Sequence, residues 1–380
     1  MGKIRVLIIT GKMDVGGIEN QMMHLLRNAD KERFQIDFTS TIPNGFYRTE
    51  IESLGGKYIQ IPHMGGHVIR YCKALYHVMK KGRYDVVHSQ ELFHSGIVLS
   101  VAKAAGVRCR IAHAHNWCDS DGINTRRSLI RSLYNTVMRS LINWTSTSQI
   151  ACSTWAGRFL YGEKTLKKKT YHLVFNSVDT GKFLDYYDRH EKGEFCADEW
   201  RNILNVARIT AVKNQVFLVN LADEFRRRKE KIRIICVGSG DEDYEKQVYK
   251  LVKDKELEEY ILFPGVRKDI DVLMRKAKAF ILPSKYEGMP LVMIEAQAAG
   301  LPCISANTYS PEVDFGLGQI CWLSLKEDIS VWADAVEQAI NSERPAKAEV
   351  EQAVSEKCFD SKMFAKTICD IYQSDYERKN

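Results

Sequence analysis

The sequence predicts an α/β protein of two doubly wound, Rossmann-like domains facing a central cleft. Three observations predict it. Short, continuously apolar runs alternate with amphipathic segments along most of the chain, the pattern of a parallel sheet covered by helices on both faces. At 380 residues the chain exceeds what one ordinary core holds. The alternation then starts afresh after Asn176-Ser177-Val178-Asp179. The expected domains are residues 1–177 joined by a returning 361–380, and residues 178–360.

Taken in order, Ile4 to Thr10 reads as the first strand and not as a secretory leader, since the apolar run is short and ends in a glycine turn. A helix over Gly17 to Asn28, strand Phe34 to Ser40, helix Tyr47 to Leu54 and strand Tyr58 to Ile61 follow. Next come a helix near Tyr71 to Lys80, strand Tyr84 to His88, helix Gly96 to Ala105 and strand Cys109 to His113. In the second half, strand Asn202 to Val206 precedes a helix after Asn214, strand Ile232 to Val237, helix Tyr244 to Lys253 and strand Ile261 to Phe263. Helix Ile270 to Lys276, strand Ala279 to Leu282, helix Pro290 to Ala299, strand Pro302 to Ser305 and helix Trp332 to Ile340 complete it. The amphipathic segment Ser361 to Tyr376 is expected to cross back onto the first domain.

Composition narrows the function classes. With 45% apolar and 27% charged residues the chain is a folded globular protein without disordered arms. Its longest apolar stretches, such as Ile97 to Val107 broken by Lys103, fall short of the ~20 residues that span a bilayer. Ten cysteines show no C-x-x-C pair or regular framework, which suits a reducing, cytoplasmic setting. The net charge of +7 conceals an asymmetry: residues 1–170 carry 25 Lys and Arg against 12 Asp and Glu, and the remainder 30 against 36. A domain of net charge +13 suits an anionic surface, and the basic residues Arg126, Arg127, Arg131, Arg139 and Lys167-Lys168-Lys169 point to the inner leaflet of a membrane.

Four constellations carry chemistry. In Ser284-Lys285-Tyr286-Glu287-Gly288-Met289-Pro290-Leu291-Val292-Met293-Ile294-Glu295, a carboxylate closes a strand-loop and a second sits inside the following helix. With Pro290 as first helical residue, the N–H groups of the Gly288 to Leu291 region would hold an anion or sugar hydroxyls. Arg208 and Lys213 follow the Asn202 to Val206 strand and precede a helix, a place where two cations neutralise a departing diphosphate. Gly16-Gly17, in a glycine-rich loop after the first strand, let backbone approach a ligand. His113 and His115 share one side of a strand end, but no third and fourth metal ligand is found at a suitable spacing. Asp119-Ser120-Asp121 reads as an ordinary polar loop, and no metal is expected.

Together these strings resemble the retaining glycosyltransferases of GT-B fold, specifically glycosyltransferase family 4 of exopolysaccharide and capsule type. The Glu287 to Glu295 stretch looks like the family's E-x7-E motif, Arg208 with Lys213 like its diphosphate site, and Gly16-Gly17-Ile18-Glu19 like its Gly-Gly-x-Glu loop. The resemblance implies a nucleoside-diphosphate sugar, a UDP-sugar, as donor, a glycan or lipid-linked acceptor, and no required cofactor. It implies that Glu287 positions the sugar, Glu295 holds the ribose, and His115 touches the donor sugar. Gly238 in a Gly-x-Gly loop, Val266 and Arg267 beside the base, and the Gly288, Met289, Pro290 and Leu291 backbone complete the donor site. Ser177 stands where the family often has glycine, and Met289 where phenylalanine or leucine is common. A GT-B sugar-nucleotide epimerase or phosphorylase is the alternative, although such families lack the full set of Arg208, Lys213, Glu287 and Glu295. A nucleic-acid-binding role is disfavoured by the absence of aromatic–basic interleaving.

Overall fold

A computed structural model describes residues 2–14, 16–116, 129–184 and 199–379. Asp119-Ser120-Asp121, Arg126 and Arg127 lie outside the described residues. The chain forms two compact units, residues 1–177 with 360–380, and residues 178–359.

The first unit begins β1 (Ile4–Ile9), α1 (Gly17–Asn28), β2 (Phe34–Ser40), α2 (Arg48–Ser53), β3 (Tyr58–Gln60), α3 (Val68–Gly82) and β4 (Val86–Ser89). It continues through α4 (Ser95–Ala104), β5 (Cys109–Ala114), α5 (Leu129–Thr145), β6 (Ser148–Ala151), α6 (Thr154–Tyr161) and β7 (Tyr171–Leu173). These strands make one parallel sheet in the order β3-β2-β1-β4-β5-β6-β7. β1 is central and covered on both faces, so Val6, Leu7, Ile8 and Ile9 are all buried and its sequence is continuously apolar.

The second unit opens with α7 (Thr180–Leu184), β8 (Arg201–Val206), α8 (Gln215–Arg227), β9 (Ile232–Val237), α9 (Glu242–Asp254), β10 (Ile261–Gly265) and α10 (Ile270–Lys276). β11 (Ala279–Leu282), α11 (Leu291–Ala298), β12 (Cys303–Ala306), β13 (Ile320–Leu323), α12 (Ile329–Asn341) and α13 (Lys347–Lys357) complete it. Its six parallel strands run β10-β9-β8-β11-β12-β13. α8, α9 and α12 close a core around Ile203, Phe225, Ile234, Ile281 and Trp332.

The last helix, α14 (Ser361–Lys379), returns to the first unit and packs on α1. Phe364, Ile368, Ile371 and Tyr372 enter the core there, and buried Asp375 accepts hydrogen bonds from Thr147 Oγ1 (2.5 Å) and Ser148 Oγ (3.0 Å). Arg378 pairs with the same carboxylate.

The sequence reading leaves out α5, β6, α6, β7, α7, β13 and α13. α5 is apolar on more than one face and lacks acidic residues, and β6 is half polar although wholly buried, so neither shows a clear period. Helices α9 and α12 begin before the expected Tyr244 and Trp332, because the side chains of Asp241 and Asp328 cap them. No helix among the described residues is long and apolar enough to cross a membrane.

Candidate active site

In each sheet the chain changes winding direction at one place, between β1 and β4 in the first unit and between β8 and β11 in the second. Ligands of open parallel sheets bind beyond the carboxyl ends of the strands at such points. The candidate residues are distributed over loops at these ends.

In the second unit the loops after β8 and β11 are tied together. The Lys285 N–H donates to Val212 O (2.8 Å), and Asn214 Nδ2 donates to Pro283 O (3.2 Å). Asn214 takes left-handed backbone (φ 64°) as the residue before α8, a conformation asparagine tolerates. This bracing brings Lys213 and Glu287 into an ion pair, with side chains only 19% and 12% exposed. Buried Gln215 holds the turn between them and Arg208, accepting from the Thr210 N–H (3.2 Å) and donating to Arg208 O (3.0 Å). The Arg208 side chain is exposed and makes no hydrogen bond or ion pair among the described residues.

The Gly-x-Gly loop has a packing reason. Gly238 has φ 137°, and a Cβ there would lie 2.1 Å from Ala207 O; a Cβ on Gly240 would lie 2.1 Å from Ile209 O. Ile209 N–H also bonds Ser239 O (3.2 Å), so the two glycines let this loop hold the Arg208 turn from behind. The Gly238 N–H bonds Gly265 O (2.9 Å); beyond it Val266 is exposed and the Arg267 guanidinium is held by Asp269 at 2.9 and 2.8 Å.

One expectation is corrected. Pro290 is not the first residue of α11 but the extended residue before it (φ −71°, ψ 117°), and the helix starts at Leu291. Proline has no N–H, and the Met293 N–H turns back to Pro290 O (3.1 Å), so the first-turn donors facing out of α11 are those of Leu291 and Val292. Gly288 and Met289 are buried just ahead of them. Glu295 lies one turn into α11, half-buried, with no ion-pair partner within 4 Å among the described residues. Burial pushes its carboxyl up to about 7, against the opposing pull of Lys182 on α7.

In the first unit, Gly16 precedes α1 in extended backbone and the Glu19 carboxylate folds over it: a Cβ on Gly16 would lie 2.2 Å from Glu19 Oε2. Gly17 opens the helix. His115, just past β5, is buried with Nε2 2.6 Å from Gln90 Oε1, and its ring lies 4.0 Å from that of His113, which stacks on His88 at 5.2 Å. Burial holds the His115 imidazole down at about 3, so it is neutral at ordinary pH.

Gln90 and Glu91 were missed from the sequence. Glu91 follows β4, burial and the Glu19 charge raise its carboxyl to about 7, and Oε1 lies 3.5 Å from where a Gly11 Cβ would be. The available signal was a polar Ser89-Gln90-Glu91 run directly after a buried strand. Among the described residues no group of three or more His, Cys, Asp or Glu is arranged to hold a metal ion.

One parallel α/β sheet in each of two units is the architecture of the GT-B fold of glycosyltransferases. The family model described as Glycosyltransferase Family 4 matches residues 15–182, and that described as Glycosyl transferases group 1 matches residues 189–356. The putative glycosyltransferase EpsF of Bacillus subtilis is 32% identical over 98% of this chain and 97% of its own length. The capsular polysaccharide biosynthesis glycosyltransferase CapH of Staphylococcus aureus is 28% identical over 80% of this chain and 81% of its own. Among solved structures, Anabaena HepE in complex with UDP and glucose superposes with a TM-score of 0.77 at 16% identity, over 98% of this chain and 100% of that one. The chain therefore belongs to the family 4 glycosyltransferases, and it is a glycosyltransferase.

Proposed function

We propose that the chain is a retaining, metal-independent glycosyltransferase that moves a sugar from a UDP-sugar to a glycan or lipid-linked acceptor in bacterial surface polysaccharide synthesis. The observation that carries this reading is the Lys213–Glu287 pair, braced between the loops after β8 and β11 beside the start of α11. Departure of a diphosphate builds negative charge that Arg208, Lys213 and the first turn of α11 meet with fixed cations and N–H donors. When phosphate draws Lys213 away, Glu287 is released to accept sugar hydroxyls, and Glu295 accepts those of the ribose. The diphosphate oxygen takes the acceptor proton, so the sugar leaves and arrives on one face. His115, neutral and donating from Nε2 to Gln90, offers Nδ1 as an acceptor to the donor sugar. In this reading the second unit binds the donor, and the first unit, with the Gly16-Gly17 loop, binds the acceptor.

The relatives support the substrate class. EpsF and CapH are named for glycosyl transfer and capsule synthesis, HepE is seen with UDP, and a 26% identical Escherichia coli relative is named as a UDP-Gal galactosyltransferase acting on a diphosphoundecaprenol-linked sugar. That relative is matched over 62% of this chain and 60% of its own length. In this reading the acceptor is carried on a lipid and the basic first unit works peripherally on the inner face of the plasma membrane, a position its net positive charge supports.

The test is a thermal-shift panel of UDP-, GDP-, ADP- and dTDP-sugars, followed by transfer from the best donor to undecaprenyl-diphosphate-linked acceptors. UDP-sugars should stabilise the chain, the product should keep the donor's anomeric configuration by NMR, and Glu287→Ala should lower turnover by about 100-fold or more. Donor breakdown without transfer to any acceptor, or an inverted product, would overturn the reading.

A further inference from the structure

α5 is apolar on two opposite sides. Met138, Ile142 and Thr145 are buried on its inner side, where the helix packs on α4. At ~100° per residue, Leu129, Leu133, Trp144, Val137 and Ile130 fall within an arc of about 100° on the outer side. All five are 45–89% exposed. A helix bathed only in water carries charge on such a face. α5 has no acidic residue along its whole length.

Both flanks of the stripe are basic. On one side Lys103 of α4 holds its Nζ 3.6 Å from the Trp144 ring centre, with exposed Arg108 shortly after. On the other, Thr165 Oγ1 donates to Asn143 Oδ1 (3.2 Å), seating against α5 the segment that carries exposed Lys164, Lys167, Lys168 and Lys169. The terminal residues 360–380 carry as many acids as bases, so they leave the charge of the first unit at +13. An apolar stripe, interrupted at Ser140 whose hydroxyl donates back to Thr136 O (3.0 Å), between lysine flanks has the requirements of an interfacial helix: apolar surface for acyl chains, cations for anionic headgroups.

We infer that the outer face of α5 is the membrane-contacting surface, with Leu129, Ile130, Leu133, Val137 and Trp144 in the headgroup–acyl boundary of an anionic bilayer. The inference rests on the proposed peripheral placement and specifies which surface makes it. The aromatic ring of Trp144, held by Lys103, sits at the level where indole rings partition.

The test is sedimentation of the full chain with vesicles of phosphatidylcholine alone and of phosphatidylcholine mixed equally with phosphatidylglycerol. Two variants are compared: Leu129→Ser/Leu133→Ser/Val137→Ser, and Lys167→Gln/Lys168→Gln/Lys169→Gln. All six positions are exposed, so both variants should melt with the wild type. The wild type should partition onto the anionic vesicles only. The serine variant should lose about tenfold or more of its partitioning, and the glutamine variant about fivefold per lysine at low salt.

Wild-type binding that the serine variant matches would overturn the role of α5 and leave the peripheral placement standing. Failure of the wild type to bind either vesicle would overturn both. A wild-type dimer in light scattering that the serine variant abolishes would show that a second copy covers the face, and would overturn the inference as well. Donor binding, measured without vesicles, reads the glycosyltransferase function separately.

Discussion

Glu295→Gln is expected to strengthen the second unit at neutral pH while weakening its hold on a nucleotide-sugar. The carboxyl is moved by burial from the usual 4.5 to about 7. Between these values the folded chain keeps a proton that the unfolded chain has released. Stability therefore falls as pH rises through this window and levels off above about 7. At ~1.4 kcal/mol per pH unit the gap corresponds to about 3.5 kcal/mol. The part of the side chain still in contact with water reduces this to about 1.5 kcal/mol. Glutamine keeps the shape and removes the titration. For a unit of this size that raises the melting midpoint by about 3–6 °C at pH 8 and by little at pH 4.5. Thermal melts across this range, paired with UDP-sugar affinity, check it. A variant that melts lower than wild type at pH 8, or keeps the wild-type pH slope, would refute the reasoning. Unchanged donor affinity would separately remove Glu295 from the ribose site.

Other expectations follow from the same geometry. Gly238→Ala should cost the second unit about 2 kcal/mol or more, since its Cβ meets Ala207 O at 2.1 Å in left-handed backbone; a melting point equal to wild type would contradict this. Asp375→Ala should destabilise the first unit by about 3 kcal/mol because it strips buried Thr147 and Ser148 of their acceptor, and urea unfolding measures it. His115 should show no imidazole titration between pH 5 and 8 by NMR, and a midpoint near its usual 6.5 would place it in water. Because folding depresses the affinity of His88, His113 and His115 for protons, their contribution to stability is intact above 6.5 and declines as pH falls below it. Acid unfolding of the first unit, followed by circular dichroism, should accordingly be eased by these rings.

The strands most legible in the sequence are those buried on both faces. β2, for example, begins and ends where the Phe34 to Ser40 run does. α1 was equally clear, since its apolar positions keep a helical period between Gly17 and Asn28. β6 was not legible: Ser148 is buried with a partner because α14, more than 200 residues later, supplies Asp375 beside it and Thr147, and the Gln149 side chain is satisfied by Ser146 and Thr170. The start of α11 was misplaced by one residue because Pro290 suits both the first helical position and the extended residue before it, and the surrounding backbone chose the second.

The sequence by itself determined the alternation of strand and helix, the chemical inventory of Arg208, Lys213, Glu287 and Glu295, and the excess of positive charge ahead of residue 170. Periodicity and local motif spacing are properties of neighbours along the chain. Only the tertiary structure decided that Lys213 meets Glu287, that Gly238 makes room for Ala207, and that five apolar residues of α5 are left facing outward. Ion pairing, steric clearance and burial depend on groups far apart in sequence, which folding brings together.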